Sequence, residues 1–132
     1  MSRENAEVVR RLYEGWTLGD FGVQMDAYDP SVVLVIDYGV DRITATGIEN
    51  MRTSWREQLT LWDSWSTGPI EDLIEEGDHV VVTHSLQARS RRGLEIALTD
   101  AGAAFTFRDG RIVRIVATHA RAKALQAVGL SE

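Results

Sequence analysis

Apolar residues recur along the chain with two periods, near 3.6 at the front and 2 at the back. Val9, Leu12, Tyr13 and Trp16 stand at i, i+3, i+4 and i+7, while Arg10, Arg11 and Glu14 fill the other side. That spacing predicts an amphipathic helix. Gly19 stops it, and Asp20 is placed to cap a second, shorter helix. In that piece Phe21, Met25 and Tyr28 repeat, and Asp29-Pro30 ends it. Residues 32–36, all Val, Leu or Ile, are crowded with β-branched residues and too few for a buried helix, so they predict a strand. A polar loop through Gly39 and Asp41 follows. Thr46-Gly47-Ile48-Glu49 then has the form of a capping box. The third helix carries Ile48, Met51, Trp55, Leu59 and Trp62 on one stripe, and is expected to end between Trp65 and Gly68, before Pro69.

From there the period is two. Residues 70–74 predict a strand, and Glu76-Gly77-Asp78 a turn. Residues 79–88 alternate, with Val80, Val82, His84 and Leu86 on one face. Arg91-Arg92-Gly93 makes the next turn, and residues 94–107 the next strand. Its apolar positions change parity between Leu98 and Phe105, which predicts a bulge around residues 100–102. Asp109-Gly110 is the strongest hairpin signal, since a type I′ turn needs positive φ at both central residues. Residues 111–119 form the last strand, and residues 122–128 a terminal helical turn closed by Gly129. Helices in front and hairpin-linked strands behind predict an α+β fold, with helices on one face of a mainly antiparallel sheet. No repeat or linker divides the chain, so one domain over residues 1–132 is expected.

Composition narrows the function classes. Fourteen basic against twenty acidic side chains leave a net charge of −6, the wrong sign for a nucleic-acid or anionic-membrane surface. There is no cysteine, which excludes disulfides, thiol nucleophiles and thiolate metal sites. The N-terminus is polar, without a signal peptide's apolar stretch, and no run is long enough to span a bilayer. A cytoplasmic domain is the expectation.

Four local signals in this order resemble the nuclear transport factor 2-like superfamily, and within it the SnoaL-like and ketosteroid isomerase-like branch. They are Val8-Val9-Arg10-Arg11-Leu12-Tyr13 followed by Gly19-Asp20; Val35-Ile36-Asp37; Phe105-Thr106-Phe107-Arg108-Asp109-Gly110-Arg111-Ile112-Val113-Arg114; and Ala124-Leu125-Gln126-Ala127-Val128-Gly129-Leu130. The resemblance spans essentially the whole chain. It implies a cone, in which a curved sheet wraps the helices and leaves an apolar pocket at its open end. It also implies a homodimer packed through the outer face of the sheet. The superfold hosts isomerases, cyclases, hydrolases, dehydratases and proteins without catalysis, so the site must decide.

Asp37 ends an apolar strand in the parity of Val33 and Val35, ten residues before Gly47. The resemblance makes an aspartate at this place a general base. Apolar walls would raise its pKa and strengthen it as a base. The alternative is a carboxylate that caps the strand or binds the loop behind it. His119 follows Val113, Ile115 and Ala117 in parity and can pair with Asp37, or else end its strand in solvent. His84 shares the face of Val80, Val82 and Leu86. It is either an acid/base group or a core histidine with satisfied nitrogens. Tyr13, Trp16, Tyr38, Trp55, Trp62, Phe105 and Phe107 are candidate ligand-binding residues, with simple core packing as the alternative. The histidines lack metal-ligand spacing. There is no phosphate loop, dinucleotide fingerprint or nucleophile elbow either, so no metal and no cofactor are expected.

The departures from the family patterns matter too. The isomerase's oxyanion donors fall here on Leu12 and Ala103, and Tyr13 lies one residue, or about 100°, away on its helix. The cyclases' aspartate falls on Ala120 beside His119. The epoxide hydrolases' Asp-Arg-Asp set falls on His84, Leu86 and Ala117. Two readings follow: proton transfer on a small apolar carbonyl compound such as a steroid or polyketide, or ligand binding or dimerisation without catalysis.

Overall fold

The computed structural model describes residues 2–20, 22, 25–38 and 42–130. Helix α1 (Ser2–Thr17) is followed by a 3₁₀ turn (Met25–Ala27), strands β1 (Tyr28–Asp37) and β2 (Arg42–Thr46), and helix α2 (Ile48–Thr60). Strands β3 (Trp62–Glu76), β4 (His79–Ser90), β5 (Glu95–Arg108) and β6 (Arg111–Thr118) come next, then helix α3 (Arg121–Ala127). The fold is α+β. Its six strands form one curved sheet in the order β2-β1-β6-β5-β4-β3, with β1 and β6 parallel and the other neighbours antiparallel. Among the described residues no helix is long and apolar enough to cross a membrane.

Each face of the sheet has its own core. Inside, Val9, Leu12, Tyr13 and Trp16 of α1 meet Leu34, Ile36, Val80, Val82, Phe105 and Ile115. Outside, α3 lays Ala124 and Leu125 on Val35, Val81, Ala104 and Val116. Gly102 permits that contact, because a Cβ there would lie 2.9 Å from the Ala124 methyl and 3.1 Å from Arg121 Cα. Arg121 holds the other end of α3, paired with Asp72 and 3.4 Å from the Thr83 hydroxyl. Gly129, at φ +77°, closes α3. Its N–H donates to Gln126 O while that of Leu130 donates to Leu125 O, the Schellman pattern. Part of the outer face expected to carry a dimer contact is therefore occupied by the chain's own helix.

Several expectations change. Tyr28 and Asp29-Pro30 belong to β1, not to a second helix. There the Asp29 carboxylate accepts from the Ser31 N–H and hydroxyl at 2.9 and 2.6 Å, where the β1–β6 register slips. The part of that helix placed on Phe21, and the loop residues Gly39 and Asp41, lie outside the described residues. The segment read as loop before α2 is β2. No capping box forms: Gly47 is the N-cap, at φ +90°, with no side-chain cap bond. Its N–H donates to Val32 O at 2.7 Å, which fixes the entry to α2. The third helix ends at Thr60, and Trp62 and Trp65 belong to β3. Gly68-Pro69 interrupts β3 without ending it, since β3 is an edge strand and tolerates a missing ladder donor. The Asp109-Gly110 turn has positive φ at both residues, 53° and 78°.

Candidate functional site

The pairing of β4 with both its neighbours breaks at one residue. On the β3 side Ile70 pairs with His84 and Thr67 with Leu86, leaving two residues opposite Ser85. On the β5 side Ala101 pairs with His84 and Leu98 with Leu86, again two against one. The expected bulge in β5 thus falls on Thr99 and Asp100. A second bulge, at Gly68-Pro69, faces it across β4. Gly68 makes room for Ser85 there, because a Cβ would sit 2.1 Å from Ser85 Oγ and 3.1 Å from Ser85 O. Paired bulges increase local twist and re-aim side chains.

Ser85, unpaired in both ladders, takes up the neighbouring imidazole. His84 Nδ1 lies 2.9 Å from Ser85 O. A carbonyl can only accept, so Nδ1 carries the proton and Nε2 keeps its lone pair. The ring is buried, and loss of hydration lowers its pKa against smaller raising effects from the Ser85 hydrogen bond and Glu71. His84 is therefore a neutral imidazole with one basic nitrogen. Its ring centroid is 5.2 Å from that of Tyr13 in an edge contact.

His84 lines a small inner chamber of about 30 Å³ with Tyr13, Tyr38, Trp65, Thr67 and Ala117, room for a water-sized group. Beyond it lies an outer chamber of about 240 Å³, lined by Met25, Tyr28, Leu34, Met51 and Leu59 together with Arg52 and Arg56. Trp16, Trp55 and Ile115 border both. The Trp16 and Trp55 rings lie 5.7 Å apart at the boundary the two chambers share. Burial raises the pKa of Tyr13, with smaller contributions from Tyr38 and Tyr28, and pushes that of Tyr38 up to about 12. Both phenols remain protonated donors at neutral pH.

The sequence-derived candidates divide. Tyr13, Trp16, Tyr38, Trp55, His84 and Phe105 border the inner chamber. Phe107 is packed in the core, and Trp62 stacks edge-on to Trp65 at 5.9 Å; neither lines a chamber. Asp37 lines neither chamber. Leu34 and Ile36 point inward, so strand alternation puts Asp37 on the α3 side with Val33 and Val35. There it stands opposite Arg42 on β2 and Thr118 on β6. His119 lies just past β6, half-buried, with Nδ1 finding no hydrogen-bond partner among the described residues, and also lines neither chamber. The structure does not bring Asp37 and His84 together. Sequence reasoning missed Trp65 and Thr67, whose period-two spacing before Gly68-Pro69 was the available signal. It also missed Arg52 and Arg56, which flank Trp55 on α2. Among the described residues no three His, Asp or Glu side chains gather into a metal-binding cluster.

Known proteins share this architecture. No curated protein matches the sequence. An NTF2-like protein of unknown function from Burkholderia pseudomallei superposes with a TM-score of 0.76 at 21% identity, over 96% of this chain and 98% of that one. TerC, crystallised with polyporic acid, gives 0.73 at 24% identity, over 86% and 89%. A protein assigned as a SnoaL-like polyketide cyclase from Jannaschia sp. CCS1 gives 0.70 at 19% identity, over 88% and 85%. Likenesses at these identities carry the fold. The SnoaL-like domain model matches residues 9–115, and the chain belongs to the SnoaL-like domain family.

Proposed function

We propose that the chain binds a small, planar, apolar carbonyl compound of the polyketide or steroid kind, and moves a proton on it with His84 as the base. The observation that carries this reading is the neutral His84 imidazole, its tautomer set by Ser85 O, facing a chamber it shares with two protonated phenols. The carbonyl oxygen fits the inner chamber and the ring system the outer one. Nε2 takes a proton from the carbon next to the carbonyl, and the resulting enolate oxygen receives a hydrogen bond from Tyr38 or Tyr13. His84, then an imidazolium, returns the proton to another position. Base and donors are all neutral at rest, so the apolar site holds no unpaired charge before reaction. TerC, crystallised with polyporic acid, and the polyketide-cyclase assignment of the Jannaschia protein support a ligand of the polyketide kind.

Deuterium exchange into 2-tetralone, followed by NMR, tests the proposal. Wild type is expected to accelerate exchange, His84→Gln to lose about two orders of magnitude or more, and Tyr38→Phe to lose less. Exchange indifferent to His84→Gln would remove the mechanism. Binding without turnover is the second reading, favoured by the lack of any carboxylate among the described residues lining either chamber. Thermal stabilisation by 2-tetralone with no exchange at all would select it.

A further inference from the structure

The outer chamber is apolar except at one edge, where α2 presents Arg52 and Arg56. Four residues apart, they share one face of the helix. We infer that this pair selects ligands carrying a carboxylate, which it holds at the mouth while the planar body lies between Trp55 and the inner wall. The inference rests on the cavity reading above and adds a polarity and an orientation to its ligand.

Four observations support it. The protein is acidic overall, at −6, yet among the described residues the only charged groups lining the chamber are these two guanidiniums. Arg52 is only loosely engaged: its contact with Glu49 is 3.5 Å long, and the Glu49 side chain is 87% exposed. Such a pair yields easily to a ligand anion. Arg56 makes no ion pair among the described residues, so its planar donors remain available for a two-point contact with a carboxylate. Trp55 lies between them in sequence and borders the chamber. An aromatic acid can therefore stack on the indole and reach the arginines at once.

The test is calorimetric binding of 2-naphthoate and of neutral 2-naphthamide to wild type and to the Arg52→Gln/Arg56→Gln variant. Both positions are solvent-exposed on a helix, and glutamine keeps the helix propensity. Wild type is expected to bind the acid about ten-fold more tightly than the amide, the scale of one good charge-assisted contact. The variant should lose that preference and keep its affinity for the amide, and in wild type the preference should shrink with added salt. Equal affinities in wild type, or an acid preference that survives in the variant, would overturn the inference and leave the cavity reading standing. Failure of both compounds to bind would overturn the two together.

Discussion

If His84 is held neutral by burial, its protonation must oppose folding, and that can be measured without any substrate. The group has an ordinary pKa of 6.5 and a lower one when folded, mainly because the ring is desolvated. Below 6.5 the unfolded chain therefore binds a proton that the native state resists. Stability rises with pH wherever the unfolded state holds more protons, so lowering the pH through this window weakens the fold. The loss has a ceiling of about 1.36 kcal/mol per pH unit for one proton, and stops once the native ring itself protonates. Urea unfolding of wild type and His84→Leu, compared from pH 7.5 downward, isolates this contribution, because His79, His119 and the carboxylates are common to both. Wild type should lose stability more steeply with falling pH than the variant. Parallel curves would mean that the imidazole protonates in place at no cost, and a buried neutral base would no longer describe the site. Glu71 is the group to watch. Glu71 favours the charged ring, so Glu71→Gln should steepen the wild-type slope.

Trp55→Ala should widen the passage between the two chambers and admit ligands bulkier than wild type accepts. It should cost about 3 kcal/mol of stability, near the low end for deleting a large aromatic because Trp55 is only half-buried; unchanged ligand size selectivity would argue against Trp55 as the narrowing between the chambers. Gly102→Val should push α3 off the sheet and destabilise by about 1–3 kcal/mol in denaturant unfolding. A stability equal to wild type would mean that α3 is not seated as described. Asp37→Asn should leave deuterium exchange into 2-tetralone near the wild-type rate, since the carboxylate lies on the α3 side of β1. A loss as large as that of His84→Gln would return the aspartate to the mechanism.

Most of the back half of the fold was legible in the sequence, because its turns have few solutions. Gly77, Gly93 and Gly110 each sit at positive φ, and the hairpins they close fix which strands become neighbours. The front half was harder. Trp62 continues the 3.6-residue stripe of α2 through Met51, Trp55 and Leu59, yet the helix stops at Thr60, and Trp62 and Trp65 fall on β3. Gly68-Pro69 looks like a helix stop in one dimension. In the fold it is half of a double bulge about Ser85, and only the pairing of β4 with both neighbours reveals it.

The same limit explains why Asp37 lines neither chamber. A strand with one wet face declares its inner side by alternation, but residues 32–36 are apolar throughout and covered on both sides. Nothing in that run says whether Val33 and Val35 or Leu34 and Ile36 face the helices. The one-residue choice decides whether Asp37 or Tyr38 enters the chamber. The deciding contact is α3, whose Ala124 and Leu125 claim the Val35 face and so turn Tyr38 inward. On β4, by contrast, His84 follows Val80 and Val82 on one face, and the bulges on both flanks keep it there. In the proposed reading the base therefore changes from a carboxylate that the family resemblance favours to an imidazole that the chain's own pairing turns toward the chamber. The Asp37→Asn and His84→Gln variants, assayed side by side on one ketone, separate the two assignments directly.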